Sequence, residues 1–258
     1  MTETIQIERD GPIVEITIDR PTANAIDGST SRALGEVFAS LDADPEVRVA
    51  ILTGAGTRFF SAGWDLGAAA SGESFDEDWG VGGFGGFPDL PDRRTPVIAA
   101  VNGLAVGGGF EIAMAADLIV AADHADFFLS EVRLGMLPDA GSIRLPRMLP
   151  RHIARELLLT SRRMGAAEAA RWGLVNRVVP HNELKVVTRA MAAEIVAAAP
   201  LSIAALLDIE RRTAHLSIAE AMQVLPRLAS YRAAIDSADA QEGPRAFTER
   251  RPPTWLGR

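Results

Sequence analysis

Three short runs constrain the fold of this chain more than any other part of it: Val47-Arg-Val-Ala-Ile-Leu-Thr53, Pro96-Val-Ile-Ala-Ala-Val101 and Leu118-Ile-Val-Ala-Ala122. A strand with one wet face alternates polar and apolar residues, and these runs do not, so they read as strands buried on both faces. Each is separated from the next by a turn or a helical pattern. Val47–Thr53 ends in Gly54-Ala-Gly56, and a helix is predicted over Ser29–Asp42, with Leu34, Val37, Phe38 and Leu41 at three-to-four spacing and Asp44-Pro45 closing it. A second helix is predicted from Phe110 to Ala116. Residues 1–19 alternate as a strand pair does, through Ile5, Ile7 and Ile13–Ile18. Strands alternating with helices predict an α/β fold with largely parallel sheets.

From Pro200 the strand signals stop. Residues 202–240 are alanine-rich with helical periodicity, which predicts two parts, a core over 1–199 and a helical segment over 200–258. The helical part carries an apolar stripe (Ala204, Ala205, Leu206, Leu207, Ala219, Ala221, Leu225) that needs a cover. A chain of 258 residues buries roughly 70–75% of its unfolded surface, so no metal or disulfide staple is required.

Composition removes several function classes. There is no cysteine, hence no disulfide and no thiolate nucleophile, and His124, His152, His181 and His215 show no ligand spacing, so no metal centre is expected. A net charge of −8 argues against nucleic acid as a partner, because phosphate-binding surfaces need clustered Lys and Arg. No run of 18 apolar residues and no signal-type h-region occurs, and the expectation is a cytoplasmic protein without a membrane partner. Gly80-Val-Gly-Gly-Phe-Gly85 matches the dinucleotide-binding pattern formally, but no strand precedes it and no helix follows. Neither G-x-S-x-G nor the P-loop pattern is present.

Chemistry is suggested by two glutamates in apolar surroundings. Glu111 follows the triple glycine of Val106-Gly-Gly-Gly-Phe110, and Glu131 lies in Phe128-Leu-Ser-Glu-Val-Arg-Leu-Gly135. Burying a carboxylate costs several kcal/mol unless it is paired or neutralised, which makes both candidates for proton transfer. The glycine run sits between a strand and a helix, where free N–H groups face negative charge; a plain tight turn is the other reading. Phe60-Ser-Ala-Gly-Trp-Asp65 follows a second strand, and N–H groups from two such turns can converge on one developing oxyanion. Residues 65–92 stand apart, with seven acidic residues, seven glycines, no Lys or Arg, and the aromatics Phe75, Trp79, Phe84 and Phe87. That composition fits either a functional lid or a disordered loop.

Taken in order and spacing, Phe60-Ser-Ala-Gly-Trp-Asp-Leu66, Pro96–Gly103, Gly107-Gly-Gly-Phe-Glu111, Glu131-Val-Arg-Leu-Gly135 and Pro138-Asp-Ala-Gly141 resemble the crotonase (enoyl-CoA hydratase/isomerase) superfamily along nearly the whole chain. Within it, Arg162–Ala166, Arg171–Val179 and the tail from Glu242 to Arg258 are similar to the carnitinyl-CoA dehydratase branch. The resemblance implies a spiral of ββα units followed by a trimerising helical segment, and assembly as a trimer or a dimer of trimers. It implies an acyl-CoA partner and no separate cofactor, coenzyme A being part of the substrate. It implies that the backbone N–H groups of Trp64 and Gly108 form an oxyanion hole, and that Glu111 and Glu131 hold a water, the first directing it to C3 and the second exchanging the proton at C2. Ala62, Asp65, Leu66, Gly107, Phe110, Pro138 and Gly141, in or beside these motifs, are expected around the substrate together with Trp79 and Phe84; the 65–92 aromatics among acidic residues suit a quaternary ammonium group, the other reading being that they simply pack a lid. An enoyl-CoA isomerase, using one glutamate, and a non-catalytic acyl-CoA-binding protein are the alternatives. Two positions depart from the family pattern: Ser142 stands where a second glycine is usual, and Ser130 where proline is common.

Overall fold

A computed structural model describes residues 4–258. The buried runs become neighbouring strands of one six-stranded sheet, in the order β1 (Ile5–Asp10), β2 (Ile13–Ile18), β3 (Val49–Gly54), β5 (Val97–Val101), β7 (Leu118–Ala122) and β10 (Arg177–Val179). Only the opening hairpin is antiparallel; β2, β3, β5, β7 and β10 run parallel. Every residue of β5 is buried, which explains why its sequence carries no alternation.

A second, four-stranded sheet is built from short strands in the order β4 (Phe59–Ser61), β6 (Leu104–Val106), β8 (Asp126–Phe128) and β9 (Met164–Gly165). Three strands of the first sheet are each followed at once by a short strand of the second: β3 by β4, β5 by β6, β7 by β8. A helix or helical turn then returns the chain. These returns are α2 (Leu66–Ala70), α3 (Gly108–Ala115) and a 3₁₀ turn at Glu131–Leu134, with α1 (Gly28–Ala43) having followed β2. Two strands and a return, repeated, advance the chain by one strand in each sheet.

The corner between the sheets is held by Asn102, which is buried. Its Nδ2 donates to Gly54 O and Gly56 O, both at 2.8 Å, and its Oδ1 accepts from Gly54 N at 3.2 Å. The turn after β3 is therefore tied to the turn after β5, and β4 and β6 start side by side.

Residues 65–92 pack on α1 rather than standing clear of the body. Ser31 Oγ lies 2.9 Å from Trp79 O, 3.0 Å from Gly83 O and 3.1 Å from Gly85 N. Glu73 accepts from Gly28 N at 2.9 Å and from the Trp64 indole N–H at 2.7 Å. Phe87, expected among the lid aromatics, is fully buried with its ring 4.7 Å from that of Phe38.

The remaining helices are α4 (Asp139–Met148), α5 (Arg151–Thr160), α6 (Ala166–Arg171), α7 (Leu184–Val196), α8 (Pro200–Thr213), α9 (Ile218–Val224), α10 (Ala229–Ile235) and α11 (Ala238–Glu249). Strand structure stops at Val179, and α7 still packs on β2, β3, β5 and β7, so the helices that lie apart begin with α8. The expected apolar stripe is partly inward: Ala205 is buried, while the exposed large apolar side chains of this part include Leu206, Ile218, Met222 and Phe247, the last 88% exposed. Among the described residues no single helix is long and apolar enough to cross a membrane.

Candidate active site

Two turns make the floor of the site, one leaving β4 (Ala62, Gly63, Trp64) and one leaving β6 (Gly107, Gly108). They touch through backbone: a methyl group at Gly63 would lie 2.6 Å from Gly108 N, far inside contact distance, and Gly63 also has φ of +78°. Only glycine fits there. The neighbouring amides of each turn are already committed. Ala62 N donates to Ala23 O (2.9 Å), Gly63 N to Ser61 Oγ (3.0 Å), Asp65 N to Ile26 O (2.9 Å) and Gly107 N to Phe128 O (2.9 Å). Among the described residues the N–H groups of Trp64 and Gly108 donate to no protein acceptor, and both residues line one cavity of about 240 Å³. Gly108 is the first residue of α3, so its N–H carries the positive end of the helix dipole.

The same helix brings Glu111 to the cavity wall. Its Oε1 accepts the Gly141 N–H at 2.7 Å, so α4 fixes the carboxylate from outside. Burial raises the Glu111 pKa, and the Asp139 charge adds to that; the Gly141 and Ala140 amides and the Arg144 charge pull the other way. The departing residue Ser142 lies on the exposed side of α4, leaving the Gly141 N–H in place for Glu111 rather than for Glu131.

Glu131 opens the 3₁₀ turn after β8 and is only 9% exposed. Burial pushes its pKa up to about 7, helped by the charges of Glu111 and Asp139, while backbone amides of its own turn oppose the shift. Its Oε2 is buried without any hydrogen-bond partner, which favours the protonated form. Gly107 leaves the room for it: a methyl there would meet Glu131 Oε1 at 2.7 Å, and the residue has φ of +54°. Ser130, the other departure, also lines the cavity.

The cavity brings together Ala62, Trp64, Leu66, Trp79, Phe84, Gly107, Gly108, Glu111 and Glu131. Three expected substrate neighbours lie elsewhere. Asp65 caps α2 through Gly67 N (2.8 Å) and pairs with Arg20, so its carboxylate is spent on holding the turn. Phe110 is fully buried against Phe127, ring centroids 5.3 Å apart, because it sits on the core side of α3. Pro138 is buried at the start of α4, outside the lining. Gly141 acts one step back, through Glu111. Phe75, named in the sequence only among the 65–92 aromatics, also lines the cavity, and Leu134, Met136, Leu137 and Asp139 are wall residues that sequence reasoning missed. Asp139 lies inside the quoted Pro138–Gly141 motif, and its charge there was the available signal.

A family model described as enoyl-CoA hydratase/isomerase matches residues 8–258. A protein of Salmonella arizonae named carnitinyl-CoA dehydratase is 54% identical over 260 residues, covering 100% of each chain. One of Salmonella typhi with the same name is 53% identical over 261 residues, again covering 100% of both. Among solved structures, an enoyl-CoA hydratase from Mycobacterium tuberculosis superposes with a TM-score of 0.89 at 39% identity, covering 99% of each chain. Another from Bacillus anthracis reaches 0.92 at 31% identity, covering 99% of this chain and 100% of its own. The spiral is thus the crotonase fold.

The Glu131 shift has a measurable cost. Its proton leaves near 4.5 in the unfolded chain but at about 7 in the folded one, so folding binds that proton more tightly. The folded state is therefore favoured below the unfolded value and loses stability as pH rises through the window between the two. Glu131→Gln is expected to gain on the parent by on the order of 2–3 kcal/mol between about pH 5 and pH 8. Urea unfolding across that range measures the gap, and a gap that does not change with pH contradicts the assignment.

Proposed function

The chain belongs to the enoyl-CoA hydratase/isomerase family, and from that membership and the geometry above we propose that it catalyses the reversible addition of water to a 2-enoyl-CoA thioester. The observation that carries this reading is the meeting of two carboxylates with two uncommitted backbone N–H groups in one cavity. The thioester oxygen accepts from the Trp64 and Gly108 amides, which draws charge from C3 and holds the enolate oxygen that follows; one such donor is worth roughly 3–4 kcal/mol. Glu111, ionised, takes a proton from water as the water oxygen bonds to C3. Glu131, protonated, gives its proton to C2. The atoms balance: OH on C3, H on C2, and one proton moved from Glu131 to Glu111, which proton exchange returns. Dehydration runs the same steps backward.

A second carboxylate beside the first distinguishes hydration from isomerisation, which moves one proton along the chain with a single base. A non-catalytic role leaves the buried, unpartnered Glu131 carboxyl as an uncompensated cost. For the acyl group we take the pair that the Salmonella relatives are named for, carnitinyl-CoA and its dehydrated partner crotonobetainyl-CoA. Assembly as a trimer, alone or doubled, is part of the proposal, because Leu206 (62%), Ile218 (85%), Met222 (63%) and Phe247 (88%) leave more apolar surface exposed than an isolated chain keeps.

Glu111→Gln and Glu131→Gln are each expected to lower turnover about 10²–10⁴-fold with the fold intact. Loss of the enoyl-thioester absorbance measures it, and near-parental turnover in either folded variant removes the mechanism. The pH dependence is expected to be bell-shaped, since the active pair holds one proton. The overall equilibrium releases no proton, so kcat/KM for hydration and for dehydration must follow the same bell, with an alkaline limb near the Glu131 value of about 7. A rate that stays level well above that value argues against Glu131 as the acid. Light scattering is expected to give three or six chains per particle, and a monomer at micromolar concentration refutes the assembly.

A further inference from the structure

Charge around the cavity is one-sided. Its lining holds Glu111, Glu131, Asp139 and Asp89 and no lysine, arginine or histidine. Arg144, on the same helix as Asp139, turns its guanidinium to Pro88 O at 3.2 Å and is not in the lining. Two of the four carboxylates have a task in the reaction; Asp139 does not. It is the first residue of α4, two before the glycine that holds Glu111, and among the described residues nothing donates a hydrogen bond to its carboxylate. Partial burial raises its pKa, and the charge of Asp76 raises it further. Asp139 is exposed at the mouth of the cavity and carries no protein partner among the described residues, so its charge is free to act on a positive group bound there.

The opposite wall is aromatic. Phe75, Trp64, Trp79 and Phe84 form a chain with ring centroids 5.7, 6.2 and 5.1 Å apart, each ring turned 69–88° from the next. Successive rings meet edge to face, and all four residues line the cavity. Glu73 fixes the Trp64 ring through its indole N–H. The wall begins at the oxyanion donor, since a methyl at Gly108 would lie 2.5 Å from Phe84 Cε1. An atom four bonds beyond a carbonyl carbon held there reaches about 5 Å along the wall.

We propose that this aromatic wall and Asp139 together bind a quaternary ammonium group carried on C4 of the acyl chain, with Asp139 as the residue that selects for its charge. The inference rests on the hydratase reading above and names the specificity determinants within that site. A quaternary ammonium cannot donate hydrogen bonds, so a close ion pair gives it little. Ring faces and an unpaired carboxylate at moderate distance suit its diffuse charge, each face contributing roughly 0.5–2 kcal/mol.

Two substrates of the same shape separate charge from fit: crotonobetainyl-CoA, and 5,5-dimethylhex-2-enoyl-CoA, in which a quaternary carbon replaces the nitrogen. The parent enzyme is expected to favour the cation about tenfold or more in kcat/KM. Asp139→Asn and Trp79→Leu, checked as folded by circular dichroism, are each expected to cut that ratio about three- to tenfold. A parental ratio at or below one overturns the inference without any variant. A fall of both substrates together in Asp139→Asn also overturns it, because that result gives Asp139 only the tuning of the glutamate pair. Hydration of neither substrate by the folded parent defeats the hydratase reading instead.

Discussion

Everything chemical in this molecule depends on one contact, the meeting of two bare backbone turns at Gly63 and Gly108. With any side chain between them the turns would separate by an atomic diameter, and the Trp64 and Gly108 amides would no longer face one point. The contact is itself the end of a longer cause. Short β4 and β6 pair because Asn102 ties the turns that precede them, and those turns lie together because β3 and β5 are neighbours in the large sheet. The large sheet supplies rigidity, the small sheet supplies aim, and the loops between them supply donors. A helix beginning at Gly108 then adds its dipole to the donor and, three residues later, places Glu111.

The two glutamates are set apart by their surroundings. Both are raised by burial, but Glu111 keeps an amide donor from Gly141, while Glu131 has a buried oxygen with none. The two environments therefore differ although the residue type is the same: an amide donor supports charge on Glu111, and burial without one opposes it on Glu131. Gly107 is the hinge of this arrangement: its missing side chain is the space in which Glu131 Oε1 stands, on the element that also leads into the oxyanion donor. The two carboxylates and the two free amides are consequently coupled through a few residues of main chain.

What the sequence made legible follows from which signals are local. Doubly buried strands announce themselves, so Val49–Gly54, Val97–Val101 and Leu118–Ala122 fall where their apolar runs lie. The second sheet stayed hidden, because strands of two or three residues such as Leu104–Val106 carry no period. Glu111 and Glu131 stood out as charges in apolar context, and both line the cavity. Asp65 and Phe110 were drawn in by adjacency to the donors, yet adjacency gives no direction. One residue after Trp64 the chain is already capping a helix, and Phe110 sits on the core side of the helix that carries Glu111. Asp139, Leu134 and Leu137 come from elements whose approach to the site is set by tertiary packing, which no local pattern encodes.

That the cavity's two free donors belong to the main chain has a consequence for how such a molecule can change over generations. An amide N–H is the same whichever side chain its residue bears, so at Trp64 only proline deletes the donor, whereas the wall around it is made largely of replaceable side chains such as Trp79, Phe84, Leu134, Leu137 and Asp139. Inheritance can thus rewrite what the cavity accepts, one residue at a time, while its pair of main-chain donors is passed on untouched.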